Sequence, residues 1–207
     1  MHVMQWIAGH WIGVLEIIAV GAVAIAVIIG ADAYGRHRAE AAALKFYEAG
    51  KLTSGSDDRI NALKEIAKKY SRTSAGRQAI MQLGDILVER GDGDGAIEQF
   101  RLLADGSRSQ PIFRVAALHR IADIQLAAGN PAEAAETYRK AAADPKNGIA
   151  LTSELLAAAC LERAGDFAAA AELYKRIIQD AGEGDRAVRD ASEERLLWLS
   201  ANGYVAG

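Results

Sequence analysis

Cysteine, proline and aromatic residues are all scarce in this chain of 207 residues, and each scarcity excludes something. A lone cysteine, Cys160, rules out an intramolecular disulfide framework and leaves the redox compartment unread. Set among Leu155, Ala157 and Leu161 in a helical pattern, it reads as a buried structural thiol. Proline occurs only 3 times, so long segments are free to be helical. No run alternates apolar and polar residues for long enough to make a half-buried strand. Charge of one sign is also missing: a net −3 gives no case for nucleic acid as partner. What the chain does hold is 51% hydrophobic residues, rich in alanine. Together these features predict an all-α protein of about one or two domains.

Residues 1–35 differ in kind from the rest. Ile12 to Ala31 reads IGVLEIIAVGAVAIAVIIGA, with Glu16 as its only charge. A helix rises about 1.5 Å per residue, so these twenty residues cover the roughly 30 Å of hydrocarbon in a bilayer. Trp6 and Trp11 precede the run and Tyr34 follows it, as aromatic anchors at two interfaces would. A cleaved signal peptide is the rival reading, with Ala31-Asp32-Ala33 as the small-x-small site. Against it, the first eleven residues contain no lysine or arginine, and helix-forming residues continue through RHRAEAAALKFYEAG. The favoured division is therefore 1–35 as tail and single membrane span, and 36–207 as a second unit. Within the span Ala22, Ala26 and Gly30 recur every fourth residue, a small-residue face that permits close helix approach. His37, between two arginines, reads as interfacial.

The second unit is built from copies of one stretch. Arg120 to Ala141, RIADIQLAAGNPAEAAETYRKA, reads as a helix, a turn at Gly129-Asn130-Pro131 and a second helix. Shifted back 38 positions, Gly84, Gly91, Ala96 and Phe100 stand where Ala122, Gly129, Ala134 and Tyr138 stand. Shifted forward 36 positions, Ala158, Gly165, Ala170 and Tyr174 fill the same slots. A fixed period in the thirties marks a helical-hairpin repeat. The pattern resembles the tetratricopeptide repeat over roughly residues 74–180, although the tryptophan usual near the repeat start is missing. That resemblance implies a short right-handed solenoid whose first helices line a concave side. Repeats are expected at about 74–105, 111–144 and 150–180, after a degenerate hairpin at roughly 39–71. Ser56 or Asp57 should cap the helix 58–70, and Pro111 suits a first helical turn. A last helix over 185–200 should cover the open end of the solenoid, with Trp198 its least explained residue.

The organisation also resembles the ancillary SecYEG translocon subunit family. The match rests on one span, a following helix at Arg38–Gly50, the Asp58–Tyr70 segment and about three weak repeats. It implies a bacterial inner-membrane protein with a periplasmic repeat domain that associates with chaperones at the translocon. The charges argue for the other side. Arg36, Arg38, Lys45 and Lys51 follow the span while only His2 and His10 precede it, and the positive-inside rule then places the repeats in the cytoplasm.

Chemistry is hard to find in the rest. GDGDG at 91–95 has the composition of a calcium loop, but Glu98 comes too early and a ligand position is missing. A helix-capping turn accounts for it better. His119 has no cysteine or second histidine at metal spacing, and no serine has a nucleophile motif or an evident base partner. The expectation is thus no enzyme, no cofactor, no metal and no small-molecule substrate. A binding surface remains, with Gln78, Gln82, Asp85, Arg114, His119, Asp123 and Gln125 as its candidate exposed positions. Their mixed charge suits a protein or peptide partner better than a polyanion. A membrane-tethered adaptor is the favoured class. A structural subunit of a larger membrane complex is the alternative.

Overall fold

An unbroken helix of 40 residues, α1 (Trp11–Gly50), carries the apolar run directly into the repeats. The structure, a computed structural model, describes residues 11–205. Trp6, His2 and His10 lie outside the described residues, as does the side chain of Trp11. No proline or turn interrupts α1, and the stretch from Ile18 is long and apolar enough to cross a membrane. Its most apolar 18-residue window has a mean hydropathy of 2.0, and none of that window is buried against the rest of the protein. Ala22, Ala26 and Gly30 lie exposed in this segment. From Ala41 onward α1 enters a core, with Ala42 and Ala49 buried.

Eight further α-helices follow among the described residues, and no strand occurs among them. They are α2 (Asp57–Tyr70), α3 (Ser74–Glu89), α4 (Gly93–Gly106), α5 (Pro111–Ala127) and α6 (Pro131–Ala142). Then come α7 (Ala150–Arg163), α8 (Phe167–Asp180), a short 3-10 turn (Glu183–Asp185) and α9 (Arg186–Ala201). Each helix packs on its neighbours in sequence, so the chain is a solenoid of antiparallel hairpins. The helix α2 starts where expected, with the Ser56 hydroxyl accepting the Arg59 N–H at 3.3 Å. Its stripe Ile60, Leu63, Ile66 and Tyr70 is buried against α1 and α3. Burying one such side chain contributes about 1.5–3 kcal/mol.

The three hairpin turns share one construction. Gly91, Gly129 and Gly165 take φ of +78°, +83° and +81°, the left-handed region that glycine enters without a Cβ penalty. Around each, the chain closes a pair of bonds onto the helix just finished. Gly91 N–H donates to the Val88 carbonyl and Asp92 N–H to that of Leu87, both at 2.9 Å. Gly129 with Asn130, and Gly165 with Asp166, repeat the pattern. The residue after the glycine then opens the next helix. The carboxylates of Asp92 and Asp166 accept from Gly95 N–H at 2.9 Å and Ala169 N–H at 3.1 Å. Pro131 occupies the first turn after Asn130, and Pro111 that of α5. GDGDG is thus a helix–turn–helix junction.

The small-then-aromatic slots explain the close helix approach. Phe100, Tyr138 and Tyr174 are buried; Gly84 faces Phe100 across its hairpin, and Ala122 and Ala158 lie fully buried in the same core cluster as Tyr138 and Tyr174. A Cβ on Gly84 would lie 2.5 Å from the Phe100 ring, so nothing larger than glycine fits unless that ring moves. Ala134 and Ala170 are fully buried, as the repeat register requires.

Past Asp180 the helix α9 closes the solenoid, placing Leu199 in the last core cluster. Trp198, unexplained by pattern, finds its place here. The chain turns back at Gly203 (φ +73°), with Tyr204 N–H donating to the Leu199 carbonyl at 3.0 Å. Tyr204 stacks on Trp198 at 5.6 Å and on Phe167 at 4.0 Å between ring centroids. The Arg195 guanidinium lies 4.7 Å from the Trp198 ring centre.

Candidate partner-binding surface

The first helices of successive hairpins, α3 and α5, lie side by side and leave a groove between their C-terminal halves. It encloses about 660 Å³. Val88, Ile124, Ala127 and Ala128 form its apolar floor, and Asp85, Glu89, Arg120 and Asp123 its polar rim. Helical spacing accounts for this: Asp85, Val88 and Glu89 share one face of α3, and Arg120, Asp123, Ile124 and Ala127 one face of α5. Arg120 pairs with Asp85 at 3.2 Å across the groove. Burial pushes the Asp85 carboxyl up, with Glu89 adding to it and Arg120 working against it. Three carboxylates against one guanidinium leave the rim acidic.

The seven candidate residues divide sharply. Asp85 and Asp123 line this groove together. Gln78 is exposed but belongs to a separate hollow of about 510 Å³ with Ala43, Phe46 and Tyr47 of α1. The other four are committed to holding helices together. Gln82 accepts from the Arg59 guanidinium at 3.1 Å. Arg114 pairs at 3.0 Å with Asp144, whose side chain is almost wholly buried. His119 Nε2 lies 2.8 Å from the Ser153 hydroxyl of α7, and its ring meets Tyr138 edge-on. Gln125 is only 5% exposed; it donates to Glu133 at 2.6 Å and accepts from Thr137 at 2.8 Å. The expectation that Gln125 is exposed is therefore corrected. Its side chain turns toward α6, where burial demands that both ends of the amide be satisfied.

Asp123 does double duty, accepting from the Tyr138 hydroxyl while remaining exposed at the rim. Burial, with the Asp123 hydrogen bond, pushes the Tyr138 phenol far up, so it stays a donor. Burial holds the His119 imidazole below its usual value, against the pull of Asp123. Val88, Glu89 and Arg120 were missed in the sequence. The signal was present, since Glu89 follows Asp85 by four, and Val88 is an apolar residue on a face otherwise polar. Among the described residues no group of three histidine, cysteine or carboxylate side chains is placed to hold a metal.

Comparison with known proteins agrees with this architecture. A tetratricopeptide repeat-like domain matches residues 5–147, and a tetratricopeptide repeat matches residues 153–183. Among solved structures, the chain is similar to a putative kinesin light chain from Podosopora anserina with nearly identical TPR-like repeats. That likeness has 18% identity, a TM-score of 0.53, and covers 82% of this chain and 87% of that one. A single-substitution form of the same protein gives 19% identity, the same TM-score, and 82% and 86% coverage. At this identity the likeness concerns the fold. No curated protein matches the sequence.

Proposed function

The chain belongs to the tetratricopeptide repeat-like domain family, and from that premise we propose that it is a membrane-tethered adaptor holding a protein partner in the α3–α5 groove. Tetratricopeptide repeats suggest a protein-interaction scaffold, and the groove is the observation that carries the reading here. Its apolar floor suits one or two aliphatic side chains of a bound segment. Its acidic rim suits basic residues flanking them. The unburied apolar stretch of α1 supports a single span, with 1–35 as tail and anchor and 36–207 as the binding unit. A tether concentrates the groove near other membrane complexes, so a weak contact becomes effective.

The resemblance to the ancillary SecYEG translocon subunit family extends the proposal. The partner would be a translocon or chaperone component at a bacterial inner membrane, and the groove would open into the periplasm. The basic residues after the span favour the cytoplasm, and protease accessibility in intact and opened spheroplasts decides between the two sides.

The adaptor reading is tested with the full chain purified in mild detergent. Val88→Glu and Glu89→Lys change two groove residues without touching a helix–helix bond. Both should reduce partner capture while helix content and melting stay as in the parent. Exchanging the span for an unrelated one should leave capture largely intact. If the span exchange abolishes capture and the groove variants do nothing, the chain is a structural subunit that packs through α1.

A further inference from the structure

Across its first two hairpins the solenoid has one edge rich in bases and an opposite edge richer in acids, and α1 determines which of them meets the bilayer. Hydrocarbon-spanning length runs out near Ala31, and the first charges beyond it are Asp32 and Arg36. From Ala31 to Arg38 the helix rises about 10 Å. At that level α2 comes back antiparallel alongside α1. The Arg38 guanidinium donates to the Lys69 carbonyl, and further out Lys45 pairs with Glu65 at 3.3 Å. The C-terminal end of α2 is therefore the membrane-proximal end.

Antiparallel packing carries this polarity into the next hairpin. Gly76, in the first turn of α3, sits so close to the Tyr70 carbonyl that a Cβ there would lie 1.9 Å from it. The start of α3 thus shares the level of Tyr70, and the end of α4 returns to it. Arg36, Arg38, Lys68, Lys69, Arg72 and Arg108 all lie along this edge, and all but the half-buried Arg38 are exposed. The acids beside them are Asp32, which is taken up by Arg36 at 2.6 Å, and the exposed Glu40 and Asp105. The far edge, at the Gly55 and Gly91 turns, carries Asp57, Asp58, Glu89, Asp92 and Asp94 against Lys51, Arg59 and Arg90, with Arg90 paired to Asp57 at 2.9 Å, so acids outnumber bases there.

We infer that the basic edge rests on anionic lipid headgroups of the membrane that α1 crosses. The inference rests on the reading of α1 as a span. Charges about 10 Å from the hydrocarbon boundary lie within one Debye length of the headgroup layer at about 0.1 M salt, where attraction is not yet screened. The span alone leaves the solenoid free to swing about its tether. Lys68, Lys69, Arg72 and Arg108, the exposed cations of this edge beyond the Arg36–Asp32 pair, resist that swing and hold the glycine turns, with the acidic groove rim near them, away from the lipid.

The full chain reconstituted in nanodiscs tests this. One set contains phosphatidylcholine only, the other one part phosphatidylglycerol to three parts phosphatidylcholine. Amide exchange at 68–73 and 106–110 should be slower in the anionic discs, and 0.5 M salt should remove the difference. The variant Lys68→Gln/Lys69→Gln/Arg72→Gln/Arg108→Gln, all exposed positions, should lose the difference while melting like the parent. Equal exchange in both discs, or an unchanged difference in the variant, overturns the inference and leaves the span standing. Failure of the chain to co-elute with discs of either kind overturns the span reading and the lipid contact together.

Discussion

Arg195 reaches back from the final helix to Glu162 on α7, with Nε donating to one carboxylate oxygen at 3.1 Å and a second nitrogen to the other. Glu162 also accepts the Tyr174 hydroxyl at 2.5 Å, so one nearly buried carboxylate joins α7, α8 and α9. Arg195→Ala strips the charge that balances it. Removing a hydrogen bond to a buried charged group typically costs about 1–3 kcal/mol. The variant should melt at lower temperature, and urea unfolding should register the loss. Arg195→Lys, which keeps the charge but not the fork, should fall between the two.

The small slots are the second test of the architecture. Gly84→Ala pushes a methyl into the Phe100 ring, and Ala134→Leu forces a much larger side chain into a fully buried site. Each should cost about 1–3 kcal/mol through overpacking, Ala134→Leu at the upper end. Thermal melting followed by circular dichroism checks both. A parent-like melt for Ala134→Leu would contradict the packing described for α5 and α6.

Turn glycines give a backbone effect with no packing part. A Cβ on Gly129 meets nothing within 4 Å, but its φ of +83° strains any other L-residue. Gly129→Ala should lose about 1–2 kcal/mol. Gly129→Asn should lose less, because asparagine tolerates the left-handed region. Parallel denaturation curves of the two variants separate this from a packing effect.

Stability should fall in acid in two stages. His119 has a folded pKa below its ordinary 6.5, chiefly from burial. The unfolded chain therefore takes up the proton first, and the His119 contribution, complete above about pH 6.5, is lost as pH falls below it. For Glu162, burial pushes the carboxyl up, yet the bonds from Arg195 and Tyr174 outweigh it and hold the pKa below its ordinary 4.5. Its contribution is present above that value and is lost as pH drops through the lower folded pKa. Melting temperature measured from pH 8 to pH 3 should show both losses. His119→Gln should flatten the first, and Glu162→Gln the second.

The hairpins were legible in the sequence because they are local. Gly91, Gly129 and Gly165, the aromatic four residues after each alanine, and the Ser56 cap announce themselves within one repeat. The state of the polar side chains was not legible. Gln82 is held from Arg59, Arg114 by Asp144 and His119 by Ser153, partners 23, 30 and 34 residues away. A single helix face shows a glutamine or histidine as polar, and only the stacking of neighbours decides whether water or protein satisfies it. Trp198 escaped for a related reason. Its stacking partner Tyr204 reaches it only through the reversal at Gly203, after the helical pattern has ended.

The shared glycine turns have a kinetic consequence. Since each one finishes a helix and opens the next within about three residues, hairpin contacts form between segments close in sequence. Loop closure over so short a span costs little entropy, and chains dominated by local contacts fold quickly. A ribosome releasing this chain delivers α1 before the hairpins. Each later hairpin can then dock on the one before it as it emerges, so α1 and the first hairpin serve as the template on which the solenoid grows.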